Sequence, residues 1–128
     1  PTSLPPTATP YPSPTPTTQS TSTPHPTLDT TLLARGESVY KTMYCGTCHT
    51  LATLGTQGIF GPDHSNMAEV AAQRIQEEGY TGSATTVEEY IRESIIEPEI
   101  YLLVDYVTSR HKMPNYSFLP SDDVRRLL

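Results

Sequence analysis

Two cysteines and a histidine lie close together in the segment Cys45-Gly46-Thr47-Cys48-His49. Two thiols three positions apart on one helical turn are spaced to form thioether bonds with the two vinyl groups on one side of a porphyrin. The histidine that follows directly would lie under the iron and supply an imidazole nitrogen as an axial ligand. The spacing therefore predicts one covalently attached haem c, with Cys45 and Cys48 as the attachment points and His49 as an iron ligand.

Redox-active dithiols and zinc sites share the C-x-x-C spacing and are the weaker alternatives. A thioredoxin-like motif needs a strand-helix-strand context, which the sequence lacks. A zinc site needs four ligands, and a second cysteine or histidine pair at suitable spacing is missing. A disulfide between the two cysteines would close only a tiny loop, so we do not expect a disulfide framework.

An iron bound by one histidine has a second axial position, and few side chains are candidates for it. Met113 precedes Pro114 in the loop before the last expected helix, and the proline stiffens that loop. Met113 is therefore the preferred ligand. His111 and His64 are the alternative nitrogen ligands, although we expect His64 to be solvated.

The remaining methionines and the remaining histidine are not expected to bind iron. Met43 and Met67 lie on the apolar stripes of expected helices, where methionine commonly fills the core. His25 lies in a segment that has no core of its own.

Composition and charge argue against two properties, non-specific nucleic-acid binding and a transmembrane segment. The chain has 128 residues with 8 basic and 14 acidic side chains, for a net charge of −6. This balance argues against non-specific nucleic-acid binding, which depends on basic contacts to phosphates. No apolar run approaches the roughly 20 residues that span a bilayer, so we expect no transmembrane segment in the residues shown. The acidic side chains are expected to form a solvated face, with a smaller role in steering basic partners.

The first 28 residues differ from the rest of the chain. Residues 1–27 hold 9 of the 13 prolines, with 9 threonines and 4 serines. Such a segment favours extended polyproline II and cannot form a packed core. The sequence therefore predicts an extended tether over 1–28 and one domain over 29–128. We expect the tether to act as a spacer or glycosylated stalk, or to be laid on neighbouring subunits.

The spacing of apolar residues after position 28 predicts an all-α domain with long loops and no strand pattern. Long loops in a small helical domain suggest that a cofactor fills the centre. Polar residues followed three positions later by an acidic one predict capping boxes at two helix starts. The four expected helices are one capped by Asp29 that reaches Met43, one from Asn66 (with Glu69) to Gly79, one after Thr85 (with Glu88) that ends at Pro98, and one from Ser121.

Taken together, these pieces resemble the class I c-type cytochromes across residues 29–128. The resemblance rests on Gly36 with Val39-Tyr40, the Cys45–His49 motif, Gly61-Pro62, residues 89–95, Met113-Pro114, and the helix start over residues 119–127. It implies a small cytochrome c fold of about four helices around one covalent haem. It also implies His49 as the proximal ligand and Met113 as the distal one. The Pro62 carbonyl would accept a hydrogen bond from the proximal histidine and tune its basicity.

The stretch from Tyr90 to Pro120 is most similar to small cytochrome domains of membrane respiratory or photosynthetic complexes. These include the mono-haem subunit of alternative complex III and the domain fused to some terminal oxidases. The resemblance implies single-electron transfer between redox partner proteins, outside the cytoplasm, by a subunit that is not an enzyme in its own right. A haem enzyme or gas sensor with an open sixth position, and a free periplasmic carrier, are the alternatives. In the family an aromatic residue of a longer last helix contacts the first-helix glycine, so we expect Gly36 to lack a partner here.

Overall fold

The computed structural model describes residues 29–127, which form five α-helices and one two-stranded sheet. Residues 1–28, with the expected tether and His25, lie outside the described residues. Short 3-10 turns cover Cys45–Thr47 and Ala52–Leu54. In chain order the elements are α1 (Thr30–Thr42), β1 (His49–Leu51), β2 (Thr56–Ile59), α2 (Met67–Arg74), α3 (Val87–Ile96), α4 (Val104–Val107) and α5 (Ser121–Arg126).

The predicted all-α class is confirmed only in part: the fold is rich in helix, but it also contains a small sheet. Strands β1 and β2 form an antiparallel hairpin in which His49 pairs with Ile59 and Leu51 pairs with Thr56. The register is irregular between His49 and Thr50. No helix within residues 29–127 has both the length and the apolar composition needed to cross a bilayer.

Helices α1, α2 and α5 begin where the sequence patterns place them, and α3 begins one residue later. Helix α1 begins after Asp29, whose Oδ1 accepts a hydrogen bond from the Thr31 amide at 2.9 Å. Helix α3 has a capping box, but Thr86 and Glu89 form it, one residue later than the predicted pair.

The predicted capping box of α2 is wrong, because Asn66 makes no side-chain cap bond. Helix α2 also ends at Arg74, before Gly79. The amides of Gln76 and Glu77 bond three residues back, at 3.0 Å each, so the chain tightens into turns there.

Helices α1 and α5 cross where Gly36 lies, and this contact corrects the expectation that Gly36 has no partner. Gly36 is buried, and a Cβ atom at this position would lie 2.0 Å from the Arg126 carbonyl oxygen. The backbone of α5 therefore takes the place that a side chain at position 36 would need. Val124 of α5 is also buried, so the last helix is packed into the domain.

We expect Gly36→Ala to destabilise the domain. Overpacking costs about 1–3 kcal/mol, which outweighs the roughly 1 kcal/mol by which alanine favours a helix interior. Urea denaturation would measure the free energy of unfolding. Gly79→Ala is the matched control, since a Cβ there meets nothing within 4 Å. Equal stability of the two variants would contradict the close α1–α5 contact.

Candidate functional site

A partly open cavity of about 640 Å³ lies between the elements of the described domain. Buried apolar side chains are correspondingly few among residues 29–127: Tyr40, Ala71, Tyr90 and Val124. All five site residues expected from the sequence line this one cavity, namely Cys45, Cys48, His49, Pro62 and Met113. The two alternative histidines and the two other methionines line it as well: His64, His111, Met43 and Met67.

His49 is the one buried polar or charged residue among those described. Its Nδ1 lies 2.7 Å from the Pro62 carbonyl oxygen. Because a carbonyl can only accept, Nδ1 must carry the proton and donate, which leaves the lone pair of Nε2 free to bind a metal. Burial lowers the pKa of His49, and the bond to Pro62 opposes this shift. The ring is therefore neutral at pH 7, as metal ligation requires.

The hairpin holds the Cys45–His49 segment through small residues and one threonine. A Cβ atom at Gly58 of β2 would lie 2.3 Å from the Cys48 carbonyl carbon, and one at Gly46 would lie 2.4 Å from Thr56 Cγ2. The Thr56 hydroxyl donates to the His49 carbonyl at 2.9 Å and accepts from the Leu51 amide at 2.8 Å. Sequence reasoning missed these roles of Gly58 and Thr56, because neither residue belongs to the motif.

Gly61 allows the chain to pass directly beside the His49 ring. A Cβ atom at position 61 would lie 2.3 Å from His49 Cε1 and 2.7 Å from Nδ1. The Gly61 amide also donates to the Cys48 carbonyl at 2.9 Å. Glycine at this position therefore lets the Pro62 carbonyl reach the imidazole.

His64 does not have the solvated position that the sequence suggested. Its ring stacks on the His49 ring, with 3.9 Å between centroids and 20° between planes. Burial, followed by the nearby His49, lowers the pKa of His64 to about 3, so its ring is neutral. The two axial ligands of an iron lie on opposite faces of the porphyrin. A ring stacked on His49 would lie on the same side of a bound porphyrin as His49, so we would not expect His64 to supply the second axial ligand.

Met113 lies in the segment between α4 and α5, and two aromatic residues tie this segment to the rest of the domain. The Tyr116 amide donates to the Ile95 carbonyl at 3.2 Å, and the Tyr116 hydroxyl donates to the Met43 carbonyl at 3.3 Å. Near the other end, the His111 ring packs on Phe60 with centroids 4.2 Å apart. The segment is therefore fixed against α1, α3 and the end of the hairpin.

Both cysteines are free thiols at half-buried positions. Burial raises the pKa of Cys45, so its thiol stays protonated at neutral pH. The preceding residue, Tyr44, has a φ of 56°, in the left-handed region that non-glycine residues seldom adopt. This turn ends the α1 region and starts the 3-10 turn that carries Cys45.

These features fit a covalently bound haem. The cavity is within the roughly 300–1,000 Å³ range of small-molecule and cofactor sites. Two thiols, an imidazole with a free Nε2 and the thioethers of three methionines line its wall. No cluster of three or more His, Cys, Asp or Glu side chains within residues 29–127 is arranged to hold a metal ion. A porphyrin iron needs no such cluster, since the macrocycle supplies four of its six ligands.

Comparison of the chain with protein-family models, with curated proteins and with solved structures gives no match.

We expect Gly61→Ala to disturb His49 directly. The new methyl group must displace a buried ring, so the bond to Pro62 weakens and the free energy of unfolding falls by about 1–3 kcal/mol. In ¹⁵N-labelled protein, the His49 Nδ1 proton should exchange faster with water. Gly79→Ala serves again as the control. Slow exchange that persists in Gly61→Ala would show that the ring does not depend on this glycine.

Proposed function

We propose that residues 29–128 are a class I cytochrome c domain that carries electrons through one haem c. Cys45 and Cys48 would attach the haem, and His49 and Met113 would bind its iron. The observation that carries this proposal is the 2.7 Å contact of His49 Nδ1 with the Pro62 carbonyl, which leaves Nε2 free. The shared cavity that Cys45, Cys48 and Met113 line supports the same conclusion.

A haem iron with both axial positions filled passes single electrons and does little bond chemistry. The residues of this chain would prepare the site for that task. The Pro62 carbonyl holds the His49 ring and makes its Nε2 a stronger donor. Aromatic and aliphatic side chains line the cavity, including Tyr40, Tyr90 and Ile91. They would limit access of water to the haem, and solvent exposure is one of the factors that set the potential of such a centre.

We further propose that the domain is a subunit of a membrane-bound quinol:acceptor oxidoreductase, of the alternative complex III type. It would lie on the periplasmic side of a bacterial membrane, between a redox donor protein and an acceptor protein. The sequence resemblance of residues 90–120 to the cytochrome domains of such complexes is what suggests this assignment. The Pro/Thr-rich composition of residues 1–28 suits a tether laid on the other subunits.

A haem enzyme or gas sensor is the second candidate, and one observation favours it. The segment from Thr108 to Pro120, which carries Met113, has no helix or strand, and His111 beside it is exposed. Although Tyr116 and His111 attach this segment to the domain, it lacks the regular hydrogen bonds by which a helix resists local opening, and an iron that lost its ligand there would bind gases or substrates.

Replacing each methionine in turn tests the ligand set. All three, Met43, Met67 and Met113, line the cavity, so Met→Leu at each position gives three closely matched variants. We expect the weak near-infrared band of sulfur bound to ferric iron in the wild type and in Met43→Leu and Met67→Leu. Met113→Leu should lose this band and should bind carbon monoxide rapidly after reduction.

Two outcomes would contradict the proposal. A wild-type protein without the near-infrared band, but with rapid carbon monoxide binding, would favour the enzyme or sensor. Loss of the band in Met43→Leu or Met67→Leu instead of Met113→Leu would assign the sixth position to a different sulfur.

The proposed complex has a separate test. A tagged full-length protein, extracted from its native cells in mild detergent, should purify with other redox subunits. Residues 1–28 have no charged side chains, so any contacts that the tether makes with other subunits are not ionic and are not screened by salt. We therefore expect the other subunits to remain bound when the same preparation is washed at high salt. Recovery of a free monomer under both conditions would instead support the free periplasmic carrier.

A further inference from the structure

His64 contacts the proposed iron ligand without being able to bind the same iron. Its ring covers one face of the His49 ring, with the centroids 3.9 Å apart. Its backbone amide donates to the Thr50 carbonyl at 2.8 Å, which fixes the main chain beside β1. Its Nδ1 lies 3.4 Å from the Tyr40 hydroxyl, and the Tyr40 ring packs edge-on against it at 6.0 Å.

The bond to Pro62 alone does not determine the plane of the His49 ring. A ring held at one atom can still tilt about that contact. Gly61 limits this motion along the Cε1 and Nδ1 edge of the ring. The face of the ring is limited by His64, because a flat side chain stacked at 20° leaves little room for tilt.

We propose that His64 is a positioning residue that fixes the plane of the His49 imidazole, and thereby sets the ligand orientation and reduction potential of the bound haem. The inference rests on the proposed function. Tyr40 acts on the same ring through His64, since its hydroxyl is within reach of His64 Nδ1. Tyr40 is itself buried in α1, so the contacts that run from Tyr40 through His64 to His49 begin at a side chain that is held in place.

Loss of the stacked ring should change the reduction potential of the bound haem in two ways, and both raise it. A tilted His49 donates a weaker hydrogen bond to Pro62, so its Nε2 is a poorer donor to ferric iron. An aliphatic group in place of the imidazole also makes the surroundings less polar, which disfavours the more highly charged oxidised state. Both effects raise the reduction potential.

Comparison of His64→Leu with His64→Phe separates ring positioning from simple packing. Proton NMR of the ferric protein reports the orientation of the axial-ligand plane through the spread of the haem methyl shifts. We expect His64→Leu to change this spread and raise the potential while keeping the near-infrared band. His64→Phe retains a stacked ring but loses the contact of Nδ1 with the Tyr40 hydroxyl, so its change in spread should be much smaller than that of His64→Leu and similar to that of Tyr40→Phe.

Tyr40→Phe should change the spread in the same direction as His64→Leu, but by less. Tyr80→Phe is its control, because it also removes a hydrogen-bonded tyrosine hydroxyl, in this case one that donates to Glu93. The control should leave the spread and the potential unchanged.

The possible outcomes distinguish a failure of the positioning role of His64 from a failure of the cytochrome assignment. A haem-bearing wild type whose methyl spread is the same in His64→Leu overturns the positioning role and leaves the cytochrome assignment intact. Equal changes in His64→Leu and His64→Phe overturn it too, since a stacked ring would then not be what matters. If His64→Leu does not fold, an unchanged spread in Tyr40→Phe overturns it. A wild type without covalent haem overturns both proposals.

Discussion

The short contact between His49 Nδ1 and the Pro62 carbonyl is the constraint that the rest of the site depends on. Residue 62 can reach residue 49 only if the chain reverses between them, and the β1–β2 hairpin provides that reversal. Close approach then excludes side chains at Gly58 and Gly61. The hairpin contributes little to the hydrophobic core. Its main role is to bring Pro62 close to His49, so that this one hydrogen bond can form.

The domain is built around its cavity rather than around a packed core. Few apolar side chains are fully buried in residues 29–127, and several large ones, such as Val104 and Phe118, are mostly exposed. A chain of this size has a small surplus of folding free energy even when its core is full. A haem attached through Cys45 and Cys48 would remain on the unfolded chain, so it would add to stability through the apolar surface that only the folded state buries in the cavity. Cofactor binding and stability are thus coupled in the proposed cytochrome.

The sequence patterns anticipated the parts of the fold that depend on local chemistry. Asp29 caps α1 as expected, because an N-cap needs only a side-chain oxygen and the next amides. The hairpin was not foreseen. Its strands are three and four residues long, and besides their backbone pairing they are supported by the Thr56 hydroxyl and close glycine contacts rather than by an alternating apolar pattern. The contact of Gly36 with α5 was also missed, since it joins residues that are distant in the chain.

The same division applies within the site. The contacts described for His49, with Pro62, Gly61, His64 and Thr56, come from a short piece of chain around the Cys45–His49 motif, and the motif in this wall of the cavity could be predicted from the sequence. His64 was misjudged because its partner is a ring face, which has no sequence signature. Met113 depends on Tyr116, whose hydroxyl bonds to a carbonyl 73 residues away. In the proposed cytochrome, the histidine side of the iron is therefore determined locally and rigidly, whereas the methionine side depends on tertiary contacts. Any displacement of a ligand would begin on the methionine side.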